Sequence, residues 1–177
     1  MGVEGYYEKH GAEYVNPREE EVRKALAACL TLWTKEQGLV FGSVLDLACG
    51  SGEATLVVER WAKARNLSVV VNATDPFTYD AFEARVGRKA LRFGFEDIEA
   101  GELEKHSFDL IVSSFAMHLV EEDRLFSTCQ QMALNSKFLI VVSPHKRPFI
   151  TAAMGWILKH ENIVGRIKSR LYSSIYY

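Results

Sequence analysis

The sequence predicts an α/β fold, doubly wound, with a mostly parallel seven-stranded sheet, a C-terminal antiparallel hairpin and a shortened stretch after the fifth strand. Three observations carry that prediction. Val44, Leu45 and Leu47 form a short apolar run that meets the small-residue turn Ala48-Cys49-Gly50-Ser51-Gly52 and gives way to helix-forming residues from Glu53 to Ala64. A strand buried in a parallel sheet reads as such a run, not as an alternation. Further apolar or β-branched runs recur at 67–74, 90–93, 108–114 and 138–143, separated by helix-like stretches, as crossover connections require. Finally, Ile167, Ser169, Leu171, Ser173 and Ile175 alternate with Arg166, Lys168, Arg170 and Tyr172, the pattern of a half-buried strand.

Bulk properties narrow the class. The 177 residues suit one domain spanning 1–177, long enough for a sizeable core. Hydrophobic residues make up 48% and charged residues 25%, ordinary for a globular protein. No apolar stretch approaches the roughly 20 residues of a membrane span, and the charged N-terminus lacks the apolar core of a secretory signal. Met1-Gly2 could open a myristoylation signal, but Tyr6 stands where that motif needs Ser or Thr. Cys29, Cys49 and Cys129 are odd in number and scattered, which argues against disulfides and zinc and for a reducing, cytoplasmic setting. Residues from Pro144 onward carry a net charge of +5 and the rest −7. A basic end can attract an anionic partner such as RNA, although charges on a solvated hairpin are commoner.

Taken in order, residues 1–15 hold Tyr6, Tyr7, His10 and Tyr14. Asn16-Pro17-Arg18-Glu19 reads as a helix start, with Asn16 as N-cap, Pro17 at the first helical position and Glu19 reaching back. Val22, Leu26, Cys29, Leu30 and Trp33 give that helix an apolar face, and Gly38 ends it. After the first strand, Gly50 and Gly52 let the chain turn sharply and let a ligand lie on bare backbone. The free N–H groups of the next helix face the same place. The second run ends in Asp75-Pro76-Phe77, and its distance from Asp46 predicts an extra turn in the intervening helix. An acid at the tip of this strand faces the ribose of a nucleotide ligand in doubly wound folds; an Asp before Pro is also a common turn former. Tyr79–Val86 is helical and closed by Gly87. Ala90–Phe93 is a short third strand, and Phe95-Glu96-Asp97-Ile98 follows, whose acids are also fit to cap a helix. Phe108–Ser114 is the fourth strand, Glu121–Leu134 an amphipathic helix with Leu125, Cys129 and Met132 on one side, and Phe138–Ser143 the fifth strand. Only 144–154, with two prolines, precedes the hairpin strands 156–163 and 166–176 around Gly165.

Asp46-x-Ala48-x-Gly50-x-Gly52 is neither the dinucleotide G-x-G-x-x-G nor the P-loop. It resembles the first motif of the class I S-adenosylmethionine-dependent methyltransferases, E/D-x-G-x-G-x-G, with Ala48 at the first glycine. Phe108-Asp109-Leu110-Ile111 is similar to the family's fourth motif, and the resemblance covers about residues 40 to 143. It implies S-adenosylmethionine as cofactor, held by Asp46, Ala48, Cys49, Gly50 and Gly52. It implies a ribose-binding role for Asp75, with Pro76 and Phe77 beside the adenine. Asp97 would take the exocyclic amine, with Glu96 as rival and Ile98 as apolar neighbour. Ser113, Ser114 and Phe115 would also contact the cofactor, Phe115-Ala116-Met117-His118-Leu119 would stand beside the sulfonium, and residues 1–37 would form a lid with Tyr14 as its chief contact. The acceptor is expected to be a small molecule, with RNA or protein as runner-up, or no acceptor at all in a scaffold subunit. A monomer or weak dimer is expected.

Methyl transfer asks little of side chains. A neutral thioether leaves readily, and alignment of the reactants is worth roughly 7–11 kcal/mol at best. Where the acceptor must lose a proton, His118 is the candidate base, since a near-neutral pKa suits that role; a lone histidine is more often structural. His145 and His10 are weaker candidates, and Ser113-Ser114 lacks the G-x-S-x-G elbow of a nucleophile.

Overall fold

The computed structural model describes residues 3–177; the lipidation reading of Met1-Gly2 lies outside them. The chain runs α1 (Val3–His10), α2 (Glu19–Glu36), β1 (Ser43–Leu47), α3 (Glu53–Lys63), β2 (Val70–Thr74), α4 (Tyr79–Val86), α5 (Phe95–Glu99), β3 (Phe108–Ser114), α6 (Glu122–Asn135), β4 (Ser136–Ser143), β5 (Trp156–Val164) and β6 (Ile167–Ser174). The sheet order is β2-β1-β3-β4-β6-β5. The first four strands are parallel, and the last two form the antiparallel hairpin.

Strand alternation sorts side chains into two cores. Val44, Leu110, Val112, Ile140 and Val142 face α2 and α3, where Leu26, Leu30, Trp33 and Val58 meet them. Leu45, Leu47, Ile111, Leu139 and Val141 face Ile98, Leu125 and Met132 on the α5–α6 side. Each such fully buried side chain contributes roughly 1.5–3 kcal/mol. Asp109 anchors the amino end of the sheet. Burial opposes its charge, yet Lys137 at 2.9 Å and the N–H groups of Gly42 and Ser43 hold its carboxyl down at about 2.

Four expectations change. The sheet has six strands, because Ala90–Phe93 makes only one bridge, Leu91 with Thr74, before Gly94 opens α5. The long interval after Asp46 is no extra helical turn: α3 stops at Lys63, and the surplus residues form a turn with Asn66 at φ +56°. Helix α2 begins at Glu19, since Asn16 instead caps the turn before it, its Oδ1 accepting from Arg18 N at 2.8 Å. Strand β6 is not half-buried. Lying between β4 and β5, it sends Ile167 and Leu171 into one core and Tyr172 into the other. The hairpin and the short connection after β4 stand as expected. All three cysteines are free and buried, and no described helix is long and apolar enough to cross a membrane.

Candidate active site

The chain leaves β1 through Ala48 (φ +56°) and Gly50 (φ +58°), both left-handed. A side chain at Gly50 would be strained by that φ, and its Cβ would sit 2.9 Å from Tyr14 Cε1 and 3.0 Å from Glu53 Oε2. At Ala48 the same conformation costs roughly 1–2 kcal/mol, which is why the family pattern prefers glycine there.

Two buried aspartates brace this turn. Asp46 Oδ2 accepts from Thr55 N at 2.9 Å and Thr55 Oγ1 at 2.6 Å, fixing the start of α3, while its Oδ1 is buried with no partner. Burial pushes its carboxyl up to about 7; Thr55 opposes the rise and the charges of Glu53 and Asp75 add to it. Asp75 Oδ1 accepts from the N–H groups of Phe77 and Thr78, both at 2.8 Å, and Oδ2 from Gly50 N at 3.2 Å. Thr78 Oγ1 returns a bond to Gly50 O at 3.0 Å. The Asp-Pro turn and the glycine turn are thereby clasped together.

The N-terminal segment lies over this corner. A Cβ on Gly11 would stand 2.1 Å from the Phe77 carbonyl oxygen, so only glycine permits that approach. Tyr7 stacks on Phe77 at 6.3 Å and meets Tyr14 edge-on at 5.6 Å. Burial, then the charges of Tyr7, Glu53 and Asp75, raise the Tyr14 phenol above its usual range. Buried Glu53 accepts from Ser51 Oγ at 2.7 Å and from Asn16 N at 3.3 Å, joining the lid to α3.

Beneath this N-terminal segment is a cavity of about 540 Å³, within the range of small-molecule sites. Of the residues singled out from sequence, Tyr14, Ala48, Gly50, Asp75, Pro76, Phe77, Glu96, Asp97, Ser114 and Phe115 line it. Asp97 Oδ2 also accepts from Gly94 N at 2.7 Å, capping α5. Asp46, Cys49, Gly52, Ile98, Ser113 and His118 are not on its wall. Asp46 acts through Thr55; Gly52 makes room for Val86 and Phe82; Ile98 and Cys49 are core; Ser113 Oγ is buried without a partner. His118 lies one residue from lining Leu119 and rests against His145, ring centroids 4.4 Å apart. Burial, then the charge of His145, lower its pKa, so it is neutral at pH 7. His10 stands exposed beside Tyr6.

Sequence reasoning missed Tyr7 as a wall residue, Asn16 in its link to Glu53, Glu53 itself, and Arg124. Glu53 was signalled only by its place directly after the glycine turn. Arg124, on the wall, is held by Glu96 at 2.7 Å, Glu121 at 3.5 Å and Glu99 at 3.6 Å. The other charged wall residues are all acids, Glu53, Asp75, Glu96, Asp97 and Glu121. An acidic cavity over bare backbone suits a cationic nucleoside, so the residues present fit a sulfonium cofactor.

Residues 44–135 match the family model described as a methyltransferase domain. The chain is 31% identical over 223 residues to an uncharacterised protein of Schizosaccharomyces pombe, covering 98% of this chain and 89% of that one. It is similar in fold to an O-methyltransferase family protein from Burkholderia thailandensis (TM-score 0.67, 14% identity), covering 88% of this chain but only 58% of that one. It is also similar to magnesium protoporphyrin IX methyltransferase from Synechocystis PCC 6803 with bound S-adenosylmethionine (TM-score 0.57, 12% identity, 96% and 90% covered). A third likeness is to an rRNA methylase from Escherichia coli (TM-score 0.55, 15% identity, 90% and 77% covered).

Proposed function

The chain belongs to the class I methyltransferase family, and from that premise we propose that it moves a methyl group from S-adenosylmethionine to a small-molecule acceptor by in-line displacement. The observation that carries this reading is the cavity itself, roofed by Tyr7 and Tyr14, floored by the Gly50 turn and walled by carboxylates. When bound, the cofactor would supply a methyl group on a positively charged sulfur. Asp75 would hold the ribose, using the one acceptor site that its three backbone bonds leave free. The Pro76–Phe77 pair and Asp97, with Glu96 as rival, would flank the adenine. Gly50 offers unobstructed backbone, and Ser114 and Phe115 line the cavity at the tip of β3.

The lid excludes water and strengthens charge interactions within. His118 is supported as a base only for an acceptor that reaches it past Leu119; its lowered pKa keeps it ready to accept a proton. Fold likeness extends to a magnesium protoporphyrin IX methyltransferase and an rRNA methylase alike, so the acceptor class rests on this chain's own site.

Calorimetry with S-adenosylmethionine and S-adenosylhomocysteine, followed by methyl-transfer assays against metabolite and RNA fractions, tests the proposal. Micromolar binding with turnover on the metabolite fraction is expected. Absence of binding to either compound would refute it. Tight binding without turnover on any fraction would favour a scaffold subunit, and turnover on RNA alone would overturn the acceptor class.

A further inference from the structure

The antiparallel hairpin has a consequence for charge. Because β6 runs against β4, Ser143 pairs with Lys168, so the hairpin turn returns to the carboxyl edge of the sheet, where β4 ends and the cavity opens. Lys146 and Arg147 leave the same edge directly after β4. The segment between is fixed at both ends. Ser143 Oγ accepts from His145 N at 3.0 Å, Pro148 is buried, and Ile150 packs on the core, which leaves His145, Lys146 and Arg147 turned outward and exposed. Among the described residues none of Lys146, Arg147 and Lys168 has an ion-pair partner, whereas Arg170 is 8% exposed and paired with Glu161 at 2.7 Å. Arg166, in the turn, faces Glu21 of α2.

This basic rim adjoins an acidic cavity. His145 touches His118, and Ala116 and Leu119, on either side of His118, line the wall. An anion would be repelled inside the cavity, where five carboxylates stand and Arg124 is already held by three acids. It would be attracted at the rim. Building on the methyltransferase reading, we propose that the acceptor is a small molecule bearing one anionic group, phosphate or carboxylate, which Lys146, Arg147 and Lys168 hold at the rim while the reacting atom enters the cavity past Leu119. Phe149, 64% exposed beside the cations, offers an apolar surface to the body of that molecule. The rim is short. It offers three cations without ion-pair partners among the described residues, a set sized for a single anionic group rather than for a polyanion.

The test titrates inorganic phosphate, citrate and poly(U) into the full chain while recording the imidazole NMR signals of His118 and His145. Wild type, Lys146→Ala/Arg147→Ala and Lys168→Gln are compared. Saturable shifts with phosphate or with citrate are expected, weakened about tenfold in the double variant and less in Lys168→Gln, and the stronger arm identifies the group. S-adenosylhomocysteine affinity, measured in parallel, should change less than twofold. Shifts absent with both small anions, or equal in the variants, would overturn the proposal. Poly(U) binding that far exceeds that of phosphate and depends on Lys146 and Arg147 would overturn it in favour of a nucleic acid. Failure of wild type to bind S-adenosylhomocysteine would refute the methyltransferase reading separately, since the anion arm needs no cofactor.

Discussion

At the tips of β1 and β2, Asp46, Asp75 and Glu53 each accept hydrogen bonds from backbone or hydroxyl donors; at the tips of β3 and β4, His118 and His145 lean on one another with no hydrogen bond to either ring among the described residues. The first corner is bonded into one shape before any ligand arrives. The second is a pair of aromatic rings beside a basic loop, with no side-chain hydrogen bond on His118, His145, Lys146 or Arg147 among the described residues. Preorganisation belongs where one invariant molecule is gripped, because a fixed cradle spares the ordering cost of binding. A looser corner suits the partner that varies between enzymes of one fold.

If that contrast is sound, substitutions in the first corner will be severe and those in the second mild. The largest effect attaches to Asp46. Its folded-state carboxyl titrates at about 7, against roughly 3.9 in the unfolded chain. Between those values the native state holds a proton the unfolded state has lost, so stability falls as pH rises from about 4 to 7, by on the order of 4 kcal/mol. Asp46→Asn should flatten the pH dependence of urea unfolding over that window. A bound sulfonium should also flatten it, by favouring the carboxylate. An unaltered profile in the variant would mean that Asp46 is already ionised in the fold.

Asp75→Ala comes next. It strands the N–H groups of Gly50, Phe77 and Thr78, and the loss of three hydrogen bonds at about 1 kcal/mol each costs about 3 kcal/mol in total. Affinity for S-adenosylhomocysteine should drop at least a hundredfold. Binding retained in a variant that is merely less stable would reduce Asp75 to a clasp and remove it from the ribose site.

Gly11→Val should be milder and more local. Its Cβ would collide with a backbone carbonyl at 2.1 Å, so the lid must lift from Phe77. We expect faster proteolysis within residues 1–15, about tenfold weaker S-adenosylhomocysteine binding, and little change in Tm. Unchanged proteolysis would show that the segment adjusts without opening.

The same contrast explains what was readable in the chain. The β1 turn, Asp75 and the fourth-strand motif were legible because their chemistry is written within a few consecutive residues. The third strand was misread because a strand exists through its partner, and Leu91 finds a partner at one residue only. Gly11 and Asn16 carried no local sign of function, since their contacts lie 66 and 37 positions away in Phe77 and Glu53. The basic tail was visible as composition, but only the pairing of Ser143 with Lys168 brings its charges to the carboxyl edge of the sheet, where the cavity lies.

The smallest effect tests the loose corner directly. His118 has its pKa lowered by burial and, secondarily, by the charge of His145. A histidine lowered in the fold contributes stability above its unfolded pKa of roughly 6.5, and that contribution is lost as pH falls below it, because the unfolded state then binds the proton more readily. His145→Ala removes the like charge and leaves the burial. The His118 signal should therefore titrate higher, and stability above pH 7 should change by no more than about 0.5 kcal/mol, as for an exposed side chain. Because the ring at position 145 is exposed and makes no hydrogen bond among the described residues, its removal should leave S-adenosylhomocysteine affinity intact. A loss of several kcal/mol, or of cofactor affinity, would mean that the two corners form one bonded unit, and the division between a rigid cofactor side and a pliable acceptor side would fall.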